Sequence, residues 1–271
     1  MRLLILGSDS MAGHVVSQYL KEQGHDVAEI GERDPVLEDM SVLEGKVRTG
    51  RYNAIINCTA IINQDAEADK VSAVKVNSLL PHFLEAITDG TETVVVHRST
   101  DCIFSGEKGN YTLEDWPDAS SFYARSKALG ELNNDKDITI RTSLVGPEKD
   151  ENGGGLFNWF YNQKGDVNGF ANAIWTGLTT IEFAREIEWL LNNKKHGIFQ
   201  LVPDGAIGKY DLLMLFEKYY PGNRKINRID NKKVDKSLVP VCGGLNVPDY
   251  EMQIADMRKW TDDHASMYRY H

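Results

Sequence analysis

Cysteine is scarce: Cys58, Cys102 and Cys242 stand far apart, with no Cys-x-x-Cys pair among them. That spacing excludes a disulfide framework and a cysteine-built zinc site, and it suits a reducing compartment. Long apolar runs are missing too. The amino terminus, Met1-Arg2-Leu3-Leu4-Ile5-Leu6, offers an apolar run of four residues before Gly7. This is too short for a secretory h-region and far too short to span a bilayer. A cytoplasmic protein without a membrane partner is expected. Cations are outnumbered, 30 Lys and Arg against 40 Asp and Glu, for a net charge of -10. Nonspecific binding to nucleic acid or anionic membranes is therefore not expected. An anionic ligand has to be met locally, by backbone amides and a few placed cations. The 7 histidines show no ligand spacing, so no catalytic metal is expected. Internal repeats and low-complexity tracts are absent.

What is present is an ordinary globular chain of 271 residues, 41% hydrophobic and 26% charged. Its first half alternates two kinds of segment. Apolar runs at 3–6, 27–30, 54–58, 93–97 and 138–141 read as buried strands. Stretches of helical period lie between them at 14–23, 71–88 and 122–133. Apolar runs without polar alternation suit parallel strands covered on both faces, with helices as right-handed crossovers. The fold class is α/β, a Rossmann-type doubly wound parallel sheet. After Gly146-Pro147 the pattern changes to a charged, glycine-rich loop over 148–155. Beyond it come a helix at 180–192, a strand at 197–202, a helix at 209–220 and irregular segments. The expected division is a dinucleotide-binding domain over 1–147 and a smaller C-terminal substrate-binding lobe over 148–271, with some segments returning to the first.

Gly7-Ser8-Asp9-Ser10-Met11-Ala12-Gly13 follows the first strand and opens the first helix. A backbone that turns sharply there can approach a pyrophosphate, and the helix N-terminus offers it free N–H groups. Gly7 is the candidate for the turn and Gly13 for close helix–strand packing, with Ser10 where a glycine is more usual. A plain strand-to-helix turn is the alternative. A P-loop is excluded, since no Gly-Lys-Ser/Thr follows. The end of the second strand reads the ribose: an acid binds a 2′-hydroxyl, an arginine accommodates a 2′-phosphate. In Glu29-Ile30-Gly31-Glu32-Arg33 a glycine stands where the acid is expected and Arg33 is close. That favours NADPH, with Glu32 leaving NADH open.

Tyr123 and Lys127 are four residues apart in a helical stretch, hence on one face. Reducing a carbonyl requires a proton for the oxygen as hydride arrives, and a phenol can supply it if a cation lowers its pKa. The bland alternative is an exposed tyrosine and lysine. The strand ending in Arg98-Ser99-Thr100-Asp101 supplies a hydroxyl where open α/β sheets bind ligands. Thr100 can anchor a carbonyl oxygen and orient Tyr123; otherwise it is a cap or turn former.

These residues resemble the extended short-chain dehydrogenase/reductases and, within them, the dTDP-4-dehydrorhamnose reductase family. The likeness runs through the glycine loop, Asn57-Cys58-Thr59-Ala60, Val76-Asn77, Ser99 to Gly106, Tyr123 to Lys127 with Gly130-Glu131, and Ile140-Arg141-Thr142-Ser143. It covers residues 1–147 well and the remainder loosely. The resemblance implies an enzyme that reduces the 4-keto group of a nucleoside-diphosphate 4-keto-6-deoxy sugar with NADPH or NADH. Thr100, Tyr123 and Lys127 are then the catalytic trio and Asp101 lies near the sugar. Gly7, Ser10, Met11, Gly13, Arg33, Thr59, Ala60, Tyr123 and Lys127 line the cofactor, and Asn77 supports the site. Leu144 stands where the family usually has a tryptophan that touches the sugar, and Trp175 is either its replacement or a lobe-packing residue. A homodimer is possible. The rival readings are an epimerase or dehydratase of the same superfamily, and a non-catalytic subunit like the regulatory one of methionine adenosyltransferase.

Overall fold

The computed structural model describes residues 1–270. Five of the sheet's strands come from the first half: β1 (Arg2–Leu6), β2 (Asp26–Ile30), β3 (Ala54–Asn57), β4 (Val94–Arg98) and β5 (Ile138–Arg141). The sixth, Gly197–Gln200, joins from the second half and pairs with β5. All pairings are parallel, in the order β2-β1-β3-β4-β5 and then 197–200. The chain leaves β1 in one direction for β2 and in the other for β3, so a crevice opens between β1 and β3 at their carboxyl ends. Register sets one row across that edge: Leu6 pairs with Asn57, Asn57 with His97, and His97 with Thr139.

The strands form because they are apolar on both faces. Leu3, Ile5, Ile56, Val96 and Ile140 bury one face against helices α1 (Gly13–Glu22) and, later in the chain, Thr180–Asn192. Leu4, Leu6, Ile55 and Val95 bury the other beneath α2 (Met40–Gly50). Helix α2 is so weakly amphipathic that periodicity passes over it. Its start is set by Asp39, whose carboxylate accepts from the Ser41 and Val42 amides.

Two expected helices depart from their sequence pattern. The stretch 71–88 is not one regular helix. Helices α3 (Asn63–Ala68) and α4 (Lys70–Val74) lead into a π turn at Lys75–Leu79, and α5 (Leu80–Ile87) completes the run. The stretch 122–133 stops early, as α6 (Phe122–Leu129). Gly130 must follow there, because a Cβ on it would lie 1.9 Å from the Asn77 carbonyl oxygen.

The second half builds a lobe around Phe157, Trp175, Leu212, Phe216, Met257 and Trp260. It draws on α7 (Leu156–Tyr161), short strands between 167 and 179, α9 (Lys209–Tyr219) and α10 (Tyr250–Asp263), while α8 (Thr180–Asn192) lies on α1. Helix α10 falls where the sequence reads as irregular, because its buried positions Ile254, Met257 and Trp260 make a narrow stripe in a polar segment. Among the described residues no helix is long and apolar enough to cross a membrane.

The two halves meet at His14. Its ring is buried, with Nδ1 2.8 Å from the Ser10 carbonyl oxygen and Nε2 2.8 Å from the Tyr268 hydroxyl. Burial holds its pKa down at about 4, against 6.5 for a free imidazole. Between those values the unfolded chain takes up a proton that the folded chain refuses, so stability falls as pH drops through that window. The loss at its lower end is about 3 kcal/mol. His14→Gln should therefore flatten the acid side of the denaturant-unfolding profile relative to wild type. An identical slope in the two proteins between pH 6.5 and 4 would show that this ring does not carry the effect.

Candidate active site

The glycine turn has the geometry its sequence implies. Gly7 has φ +74°, which a side chain resists, and a Cβ on Gly13 would lie 1.9 Å from the Gly7 carbonyl oxygen. Ser10, the departure from the usual pattern, stitches the turn from inside. Its hydroxyl donates to the Gly7 carbonyl at 2.7 Å and accepts from the Gly13 amide at 3.0 Å. Asp9 closes the far side by accepting from the Glu32 amide at 2.6 Å. The N-cap residue of α1, Ala12, makes no side-chain cap bond, and the Gly13 and His14 amides are held instead by Ser10. Met11 is partly buried and Arg33 is exposed on the turn after β2. Thr59 is buried below the first glycine, and its amide and hydroxyl are both spent on Asn57 Oδ1, at 3.2 and 2.6 Å. Its neighbour Ala60 is partly buried.

At the carboxyl end of β4, Thr100 opens a single 3-10 turn over 101–103. Its hydroxyl accepts from the Cys102 amide at 3.1 Å and faces Asp101 Oδ1 at 3.1 Å. It is thus a cap, and it lies near enough to the Tyr123 phenol to favour that group's ionised form. Tyr123 sits in the first turn of α6, whose N-cap Ser121 accepts from the Ala124 amide. Helix and strand are pinned by Lys127, which is 1% exposed and donates to the Arg98 carbonyl oxygen at 2.6 Å.

The electrostatics differ from the expectation that Lys127 lowers the phenol's pKa. Burial raises Tyr123 to about 12, the Cys102 thiol adds to this, and the cation opposing both is Arg98. Lys127 itself is driven down to about 7, by burial first and then by Arg98. Arg98 lies immediately before the Ser99-Thr100 pair, and its buried Nε has no hydrogen-bond partner among the described residues. Sequence reasoning passed over it; a charged residue closing an apolar strand was the available signal. Asp101 is raised by burial, with Lys236 and Lys209 of the lobe as the nearest opposing cations. Trp175 is 5% exposed and packs in the lobe core against Tyr250, ring centroids 5.6 Å apart, as the lobe-packing alternative has it.

The other residues quoted for the resemblance hold this arrangement together. Asn77, on the π turn, accepts from the Ile61 amide at 3.0 Å and donates to the Ile61 carbonyl at 2.7 Å and to Ser126 Oγ at 3.0 Å. It thereby clamps the loop after β3 to the residue before Lys127. Glu131 takes two bonds from Arg141, at 2.9 and 2.7 Å, and one from Ser99 Oγ at 2.6 Å. A groove of about 510 Å³ along α7, lined by Glu151, Leu156, Trp159 and Gln163, contains none of these groups.

A glycine turn for a dinucleotide and a phenol–hydroxyl–lysine cluster on one edge of a doubly wound sheet define a Rossmann protein of the short-chain dehydrogenase/reductase type. A family model described as RmlD substrate binding domain matches residues 1–218. The chain belongs to that family. It is 33% identical over 134 residues to a probable dTDP-4,6-dihydroxy-2-methyloxan-3-one 4-ketoreductase of Streptomyces antibioticus, covering 48% of this chain and 45% of that one. It is 29% identical over 136 residues to a dTDP-4-dehydrorhamnose reductase of Mycobacterium tuberculosis, covering 48% and 44%. The chain thus spans about half the length of the relatives it matches. Among solved structures, a Bacillus anthracis dTDP-4-dehydrorhamnose reductase in complex with NADP superposes with a TM-score of 0.84 at 19% identity, over 96% of this chain and 99% of that one. At that identity the match speaks to the fold.

Glu131→Gln should expose the role of the Arg141 pair. It leaves a guanidinium that is 4% exposed without its counter-charge, at an expected cost of about 3 kcal/mol or more in urea unfolding. A loss below about 1 kcal/mol would show that the pair is dispensable.

Proposed function

We propose that the chain reduces the 4-keto group of a nucleoside-diphosphate 4-keto-6-deoxy sugar, with NADPH as preferred donor and NADH also accepted, in deoxysugar biosynthesis. The observation that carries this reading is the phenol of Tyr123, close enough to Arg98 and the Thr100 hydroxyl for both to favour its ionised form, on the sheet edge that also holds the glycine turn. The dinucleotide, when bound, supplies a hydride to the carbonyl carbon. The residues present fit it: the tight Gly7–Gly13 approach and the positive dipole end of α1 suit a pyrophosphate, with Met11, Thr59 and Ala60 alongside. Arg33 at the end of β2 supports the preference for a 2′-phosphate.

In this reading Tyr123 gives its proton to the substrate oxygen as negative charge develops there. Thr100 donates to the same oxygen and fixes the phenol's direction. Arg98 opposes the burial that raises the phenol, so that proton release is less costly at working pH. Lys127 fixes α6 against β4 and reaches the cofactor ribose. Asp101 accepts from a sugar hydroxyl, and Lys209 and Lys236 beside it give a chain of net charge -10 the local cations that a diphosphate needs. We read residues 1–147, with returning segments, as the cofactor domain and the remainder as the substrate lobe. A cytoplasmic homodimer belongs to the same proposal. A dehydratase needs a second acid after Asp101; Cys102 stands there instead, its thiol pushed up to about 12 by burial.

Purified protein incubated with NADPH or NADH and dTDP-, UDP-, GDP- or CDP-linked 4-keto-6-deoxy sugars should consume reduced cofactor stoichiometrically. Tyr123→Phe should lower kcat by roughly 10²–10⁴ while cofactor binding, followed by fluorescence titration, is largely spared. Turnover near wild type in that variant would remove Tyr123 from the mechanism. Interconversion of sugars without net loss of reduced cofactor would make the protein an epimerase.

A further inference from the structure

His97 is fully buried on β4 and faces two nitrogen groups. Its Nδ1 is 3.3 Å from Asn57 Nδ2, and its Nε2 is 3.2 Å from Lys127 Nζ. The orientation of Asn57 is not free. One end of its amide lies 3.2 Å from the Thr59 backbone nitrogen and 2.6 Å from the Thr59 hydroxyl. A backbone N–H can only donate, so that end is the carbonyl oxygen and the NH₂ group is left pointing at His97. Nδ1 of His97 must therefore accept. A neutral imidazole carries a single ring proton, which then sits on Nε2 and points at Lys127.

An ammonium has three donors and no lone pair, and would set N–H against N–H at this contact. A neutral amine fits: its lone pair takes the Nε2 proton, and one of its own protons goes to the Arg98 carbonyl at 2.6 Å. We infer that His97, its tautomer fixed by Asn57, holds Lys127 as a neutral amine in the cofactor-free site and so acts as a positioning residue for proton transfer at Tyr123. This rests on the proposed reading of Tyr123 and Lys127 as the reducing pair.

The surrounding groups agree. Arg98, on the same strand, opposes a charge on Lys127, and burial adds to it. Glu131 favours the charge, but its carboxylate is already held by Arg141 and Ser99. The Cys58 thiol, at the end of β3, is pushed up to about 11 by burial and stays protonated. Burial first, with Arg98 and His82 of α5, keeps His97 uncharged even when Lys127 carries no charge. An ordinary lysine keeps its proton to about pH 10. One held as an amine can take a proton from solvent and return it near neutral pH. Each reduction removes one proton from the phenol, and solvent restores it; no other bond of the protein changes.

The tautomer can be measured directly. In protein carrying isotopically labelled histidine, the ring nitrogen shifts of His97 should show Nε2 protonated and Nδ1 bare across the neutral pH range. Lys127→Met should leave that pattern unchanged, because Asn57 and not the lysine sets it. Protonated Nδ1 in the wild type overturns the inference, as does inversion in Lys127→Met. Asn57→Asp supplies an acceptor in place of the donor. It should invert the tautomer and move the neutral-range inflection of kcat/KM upward by about one pH unit or more. An inverted tautomer with an unmoved inflection removes His97 from control of Lys127. If Asn57→Asp does not fold, the wild-type and Lys127→Met spectra still decide the tautomer. Those spectra require no substrate, so failure of the keto-sugar reaction would be seen separately from failure of this inference.

Discussion

The contact from Lys127 Nζ to the Arg98 carbonyl oxygen carries the site. It joins the helix that presents the phenol to the strand that presents the threonine, and it does so in the interior. A buried amine without partners is costly, so such a lysine persists only where the fold supplies acceptors in fixed places. Here β4 supplies one, the Arg98 carbonyl oxygen, and sets the His97 ring against the same amine as a second fixed partner. The geometry of Tyr123 over Thr100 follows from that anchorage, because one turn of helix separates the phenol from the buried amine.

Around this anchor the fold commits polar groups to holding backbone in unusual places. The π turn at Lys75–Leu79 brings the Asn77 side chain round to clamp both polar groups of Ile61. π turns recur at functional sites because the extra residue in the turn redirects a side chain. Gly130 ends α6 against the same turn, and Glu131 then reaches the Arg141 fork. Much of the motif that signals the family is therefore scaffold. In the proposed reaction the ligands are met by Thr100, Asp101, Tyr123, Lys127 and the glycine turn, with Arg33, Thr59, Ala60, Lys209 and Lys236 around them.

How much of this is legible in the sequence depends on how local the cause is. The five early strands are legible because burial on both faces writes itself as unbroken apolar runs, and the turn at Gly7–Gly13 because its glycines answer to nearby backbone. The end of α6 is not, since it is imposed by a carbonyl 53 residues upstream in the chain, between Asn77 and Gly130. The exchange of roles between Lys127 and Arg98 is invisible for the same reason. Which cation faces the phenol depends on burial and on a neighbouring strand, not on a spacing of four. Trp175 shows a different limit: an aromatic can serve a ligand or a core, and its place in the lobe cluster is visible only once the chain is folded.

The hydrogen bonds that His14 gives to the Ser10 carbonyl and takes from the Tyr268 hydroxyl have a structural corollary. The loop that would grip a pyrophosphate is braced by an aromatic from the far end of the chain, where Tyr268 also receives the Trp260 indole N–H. Grafting the second half of a relative onto this first half would exchange the brace as well as the substrate lobe. A chimera could then lose affinity for dinucleotide although every residue of its glycine loop was retained.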